Sequence, residues 1–200
     1  MRGGSFFRPR LVSPLRRREL RDADALAERF RLIMLPHMDA AYSFARYLTC
    51  NPLAAEDIVQ DAFLRAFRGF EGWRGDNPKA WLLAIVRNCH LDSVTGRLDP
   101  LRGAEPVEAI DAAVAGHASS LEELAQQRSD AVMLRRTIEG LPEPFRETLV
   151  LRELEELSYK EIASIAQVPI GTVMSRLARA RTMLAALLLP QDTRQREAQP

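Results

Sequence analysis

The stretch SYKEIASIAQVPIGTVMSRLARAR, residues 158–181, decides how the C-terminal half of the chain folds. Ser158 followed three residues later by Glu161 is a capping box, which predicts a helix starting at Tyr159. Ile162, Ala163 and Ile165 then fall on the side that faces a core. Pro169 cannot continue that helix, and Gly171-Thr172 lies at the start of the next one. Two short helices joined by so tight a turn make a helix-turn-helix. Advancing the second helix by about 100° per residue puts Val173, Leu177, Ala180 and Leu184 on one stripe, which must be buried. Thr172, Ser175, Arg176 and Arg179 fall on a different stripe, flanked by Met174 and Arg181.

That second stripe offers hydroxyls and guanidiniums and no carboxylate. An arginine can hold a guanine edge with two hydrogen bonds or grip a phosphate, and serine or threonine can reach either. A helix fits the major groove of duplex DNA. A merely solvated surface helix ordinarily mixes both charge signs, as LEELSYKE (residues 154–161) does just upstream. The face therefore reads as a DNA-binding surface.

Working outward, 200 residues with 46% apolar and 28% charged content suit a globular chain of one or two domains. Only 6% of residues are aromatic, Leu, Ala, Arg and Glu dominate, and no alternating strand pattern or internal repeat is present. The expected fold class is all-α. Net charge is only +1, yet residues 1–21 carry seven arginines against one glutamate. That segment reads as a disordered basic extension, with Arg16, Arg17 and Arg18 either touching nucleic acid or simply solvated. Helical patterning runs from about Asp22 to Thr95, broken at Asn51-Pro52 and between Gly72 and Pro78. The text then changes to GRLDPLRGAEPVEAIDAAVAGHASS (residues 96–120), whose Pro, Gly and small residues read as a flexible linker. Helical periodicity returns at Leu121 and lasts to about Leu189. The expected organisation is an extension (1–21), a helical domain (22–98), a linker (99–120), a second helical domain (121–190) and a polar tail (191–200). The apolar runs Trp81–Val86 and Ala185–Leu189 are too short to span a bilayer, and the N-terminus lacks a signal-peptide core. A cytoplasmic protein without direct membrane insertion is expected.

In the first domain, LAAEDIVQDAFLRAFRGF (residues 53–70) places Ala55, Ile58, Val59, Ala62, Phe63, Ala66 and Phe70 on one broad apolar face. The opposite face carries Asp57, Gln60, Asp61 and Arg68, with Leu64 in their midst. Leu64 is either the centre of a protein-docking surface or one scattered surface leucine. In WRGDNPKAWLLAIVRNCHLDSV (residues 73–94), Asn77 is a good N-cap and Pro78 a good first helical residue. Trp81, Leu82, Ile85 and Val86 supply buried bulk, while Arg87, Asn88 and Asp92 stay polar behind the Arg74–Asn77 loop. Aromatic and basic groups beside a loop suit capture of unstacked bases; Trp73 and Trp81 as plain core is the competing reading, and it is the better one for Trp81.

AAEDIVQDAFLRAFRGF, then WRGDNPKAWLLAIVRN, then a linker, then LPEPFRETLVLRELEELSYKEIASIAQVPIGTVMSRLARAR together resemble a bacterial RNA polymerase sigma factor of the small, two-domain extracytoplasmic-function group. The likeness covers about residues 28–98 and 126–187. It implies a chain without enzymatic activity or cofactor that directs core RNA polymerase to promoters and helps to melt them. By that resemblance Asp57, Gln60, Asp61, Leu64 and Arg68 dock on the clamp helices of the polymerase's largest subunit. Arg74, Asp76, Asn77, Arg87 and Asn88 match the region that opens the −10 element and holds a flipped base. Thr172, Ser175, Arg176 and Arg179 match the recognition helix for the −35 element. The 99–120 linker would thread toward the polymerase cleft, and an anti-sigma factor would hold the protein inactive.

Three departures from the family pattern bear on promoter affinity. HLDSVTGRLDPLRG (residues 90–103) lacks the usual basic run, so phosphate grip is weaker there or shifted to Arg97 and Arg102. Gln167 stands where the family often has glycine, and Met174 where it is often basic. A stand-alone helix-turn-helix regulator would leave residues 54–92 unexplained. A sigma mimic that sequesters an anti-sigma factor would keep the docking faces, but the mimics of this fold carry a receiver domain whose strand pattern is missing here. No phosphate loop, paired acidic motif or nucleophile constellation supports an enzyme. Cys50, Cys89 and His90 lack the spaced pairs of a metal site, and with His37 and His117 they read as core or surface residues.

Overall fold

The computed structural model describes residues 14–96 and 121–188. Among them the chain is helical throughout: α1 (Pro14–Met34), α2 (Met38–Thr49), α3 (Pro52–Gly69), α4 (Pro78–Val94), α5 (Leu121–Glu139), α6 (Glu143–Glu153), α7 (Tyr159–Ala166) and α8 (Ile170–Leu188). The expected extension is shorter than 1–21, because α1 begins at Pro14. Proline suits the first helical position, and the Leu, Arg and Glu residues that follow are good helix formers. The linker and the polar tail lie outside the described residues.

The helix starts of the first module are written locally. Asn51 accepts hydrogen bonds from the amides of Leu53 and Ala54 at 3.0 and 3.3 Å, with Pro52 next in line. Asn77 repeats the device, accepting from the Ala80 amide at 3.1 Å ahead of Pro78. These caps end the preceding loops sharply and fix where α3 and α4 set off. Helix α2 packs on α3 and α4 around Met34, Phe44, Phe70, Leu82, Leu83 and Val86, all effectively inaccessible to solvent. Each such side chain stabilises the fold by about 1.5–3 kcal/mol. Phe30 of α1 meets Phe63, Phe67 and Phe70 edge-on, with centroids 6.2, 5.1 and 5.2 Å away.

The second module follows the capping-box reading closely. The Glu161 amide donates to the Ser158 hydroxyl at 3.3 Å, and the Ser158 amide donates to the Glu161 carboxylate at 2.8 Å. Ile162 and Ile165 are buried, as are Val173, Leu177 and Ala180 of α8. Between α7 and α8, Gln167 adopts the left-handed conformation at φ 54°, ψ 45°. A side chain there carries a cost of about 1 kcal/mol, which glycine would relieve while giving back roughly half through its freer unfolded chain. Gln167→Gly is therefore expected to raise stability by roughly 0.5 kcal/mol in urea denaturation. A lower unfolding midpoint would contradict this account of the turn.

The modules are in contact. Helix α2 packs on α6, and α4 packs on α7. Their cores join into a single cluster of buried residues.

Candidate nucleic-acid interface

Helix α8 is held against α6 and α7 by Val173, Leu177 and Ala180, so its opposite side faces outward. Ser175 and Arg179 are exposed, and Thr172 and Arg176 half-buried. The Ser175 hydroxyl donates to the Thr172 carbonyl at 3.0 Å, keeping it close to the helix surface. Among the described residues no carboxylate pairs with Arg176 or Arg179. Arg181 differs, since its guanidinium grips Glu153 of α6 at 2.6 Å. The structure thus brings the four expected residues onto one face and ties the flanking arginine to the body of the module.

On α3 the expected docking face is also assembled. Asp57, Gln60, Leu64 and Arg68 are exposed, Asp61 is half-buried, and Leu64 keeps 55% of its surface in solvent. Phe67, exposed at 41%, adds to this apolar surface and was not among the expected residues. Arg65 at the edge is committed to Asp92 of α4 at 2.6 Å.

The loop before α4 is pinned by aromatics. Trp73 stacks on Phe70 with centroids 5.9 Å apart and lies 5.8 Å from Trp81. A Cβ on Gly75 would approach the Trp73 indole nitrogen to 2.9 Å, so the ring and the loop backbone fit only because that position is glycine. Arg74 folds back to donate to the carbonyls of Glu71 and Trp73, at 2.6 and 3.0 Å. Asp76 and Asn88 are exposed. Trp73 and Trp81 are both half-buried and packed against the core, consistent with the core reading of Trp81.

Asn77 and Arg87 are not free. The Asn77 amide nitrogen donates to Glu161 of α7, and the Arg87 guanidinium pairs with Glu147 of α6. Lys79 reaches both the Glu155 carboxylate at 2.8 Å and its carbonyl at 2.9 Å. His90 Nε2 lies 3.2 Å from Glu143. Arg46 lies 3.1 Å from Glu139 without the alignment of a hydrogen bond, and Arg146 donates to the Leu48 carbonyl at 3.4 Å. Sequence reasoning passed over Glu139, Glu143 and Glu147. Their spacing of four residues across α5 and α6 was the available signal.

Hydrogen bonds from the Ser158 hydroxyl and amide, with a smaller share from Asn77, hold the Glu161 carboxyl below its usual range. A carboxylate depressed by folding contributes stability that is present above its unfolded pKa and is lost as pH falls through its lower folded value. The stability gap between the native chain and Glu161→Gln, measured by urea denaturation, is therefore expected to shrink as pH drops from 7 into the acid range. A gap independent of pH would remove the carboxylate's role in the cap.

Comparison with known proteins assigns both modules. The model of Sigma-70 region 2 matches residues 33–97, and that of Sigma-70, region 4 matches residues 131–184. The ECF RNA polymerase sigma-E factor of Escherichia coli (strain K12) is 39% identical over 159 residues, 76% of this chain and 82% of that protein. The chain belongs to the ECF group of sigma-70 factors. The sigma-E factor of Haemophilus influenzae is 34% identical, over 72% of this chain and 79% of its own length. Among solved structures, the sigma factor RpoE from Bartonella quintana, in complex with the anti-sigma factor NepR, is similar at TM-score 0.63 and 29% identity. That likeness covers 80% of this chain and 97% of RpoE. In this alternative sigma factor α2–α4 fall within region 2, and the described part of region 4 runs from the latter half of α5 through most of α8. The paired matches account for residues 54–92, which a stand-alone helix-turn-helix regulator would not. No helix among the described residues is long and apolar enough to cross a membrane.

Proposed function

We propose that this sigma factor works in the cytoplasm as a two-point promoter reader that acts once it is bound to core RNA polymerase. Its first domain runs from α1 to residue 98 and its second spans residues 121–190, joined by the 99–120 linker. The α3 face of Asp57, Gln60, Asp61, Leu64 and Arg68 docks on the clamp helices, its carboxylates meeting basic residues there. Arg74, Asp76, Asn77, Arg87 and Asn88 then engage the −10 element, and Thr172, Ser175, Arg176 and Arg179 the −35 element. The observation that carries this reading is the α8 face, where four polar side chains converge and Arg176 and Arg179 have no acidic partner among the described residues.

The physical logic is bivalence. Neither module has to hold DNA tightly alone, because polymerase fixes their separation and gives the second contact a high effective concentration. Unstacking a promoter base costs a few kcal/mol, which a pocket selective for that base offsets. The chain contributes binding and selection, and the polymerase makes the RNA. An anti-sigma factor that covers both modules is the expected regulator, in keeping with the NepR complex of the Bartonella relative.

Run-off transcription with core polymerase over a promoter library tests the proposal. Product that depends on added protein supports it, and the start sites reveal both elements. Binding to core without any product would instead make the chain a mimic.

A further inference from the structure

One stripe of α8 is left unused by the proposed function. Ile170, Met174 and Ala178 follow one another at intervals of four residues and are exposed, Ile170 at 47% and Met174 at 54%. Residues so spaced lie one above another on a helix. Gly171 beside them opens outward, since a Cβ built there would meet nothing within 4 Å. Ser175 and Arg179 each stand one residue further along, so the apolar stripe borders the polar one. The next position on that side is Arg181, whose guanidinium is taken by Glu153. None of the three apolar side chains can pair with a phosphate or donate to a base edge. Single apolar residues are ordinary on a surface. Here three line up on the N-terminal half of the helix, the part that reads base edges when such a helix enters a major groove.

We propose that Met174, backed by Ala178, reads the C5-methyl group of a thymine in the −35 element and so helps to set which promoters this sigma factor chooses. The inference rests on the reading of α8 as the −35 helix. In the major groove thymine alone among the four bases presents a methyl group, and apolar side chains recognise it by contact. Methionine suits the task, because its unbranched, polarisable side chain adapts to an apolar partner. Arginine at the same position would instead grip a phosphate or a guanine edge. Met174 thus gives up a sequence-independent grip and gains a base preference. Taking one methyl group out of water corresponds to about a fourfold gain in affinity.

Deoxyuridine isolates the methyl group, because it pairs as thymidine does and lacks only that group. In a promoter recovered from the run-off library, each −35 thymine on either strand is replaced in turn by deoxyuridine. Anisotropy of the labelled duplex then reads binding by core polymerase carrying this sigma factor. The native protein is expected to lose about fourfold in affinity at one position. Met174→Ala should no longer tell the two templates apart, and Met174→Leu should still do so. Met174→Arg should also lose the discrimination, while its log affinity falls more steeply with log salt, by about 0.9 in slope for one gained phosphate contact. Thermal melts check folding, and Met174→Arg carries the comparison should Met174→Ala fail to fold.

A selected −35 element without thymine on either strand overturns the inference, and so does a native protein indifferent to deoxyuridine at every −35 thymine. Discrimination that survives intact in Met174→Ala overturns it as well, since the methyl group then belongs to another residue. In each case Arg176→Ala separates the two readings: lost −35 selectivity keeps α8 as the recognition helix, and unchanged selectivity takes that assignment down too.

Discussion

Asp61→Arg is expected to weaken the affinity of this sigma factor for core RNA polymerase by about a hundredfold or more, the size of a like-charge clash worth several kcal/mol at an interface. Asp61 sits half-buried on α3 beside exposed Leu64, on the face proposed to meet basic clamp residues. Reversing its charge replaces an attraction with a repulsion at a point that the docked polymerase would desolvate. The fold should survive, because the nearby Arg65 is anchored to Asp92 at 2.6 Å rather than to Asp61. Asp61→Asn removes the attraction without adding a repulsion and should cost less than the charge reversal. Titration of labelled core polymerase measures both variants, with a thermal melt as the folding control. Unchanged affinity for Asp61→Arg would take this residue out of the docking surface.

Arg176→Ala is expected to reduce discrimination of the −35 element by about 1–3 kcal/mol, roughly fivefold to more than a hundredfold, while core binding is retained. The side chain has no acidic partner among the described residues, so its truncation leaves no buried charge unpaired. The buried stripe Val173, Leu177 and Ala180 is untouched, so α8 stays seated. Run-off transcription from templates that differ only in the −35 sequence reads the effect. Lost core binding would contradict the division of labour between the two modules.

The buried and exposed faces of α3 and α8 were legible in the sequence because helices write their surfaces locally. Spacing of three and four residues put Val173, Leu177 and Ala180 on one stripe of α8 and Arg176 and Arg179 on another, and the structure keeps that partition. Ser158 with Glu161 and Asn77 with Pro78 marked helix starts for the same reason, since each cap is settled within four residues, whereas Asn51-Pro52 marked only a break in the pattern and its cap on α3 emerges from the structure. The start of α1 at Pro14 was missed because a run of arginines looks like a solvated tail, although arginine is also a good helix former. The contact between modules was not legible at all. Glu147 and Arg87 are sixty residues apart in the chain, and each on its own looks like an ordinary surface charge. No periodicity within either helix says that the two are mutual partners.

The stacked rings around the loop before α4 have a practical corollary. The chain has two tryptophans, Trp73 and Trp81, and both belong to the first module. Indole emission is therefore an inbuilt spectroscopic probe of that half alone, silent about α8, whereas far-ultraviolet dichroism sums the helices of both halves. Denaturation curves that coincide by the two methods would mark one cooperative unit, and curves that separate would give each half its own midpoint.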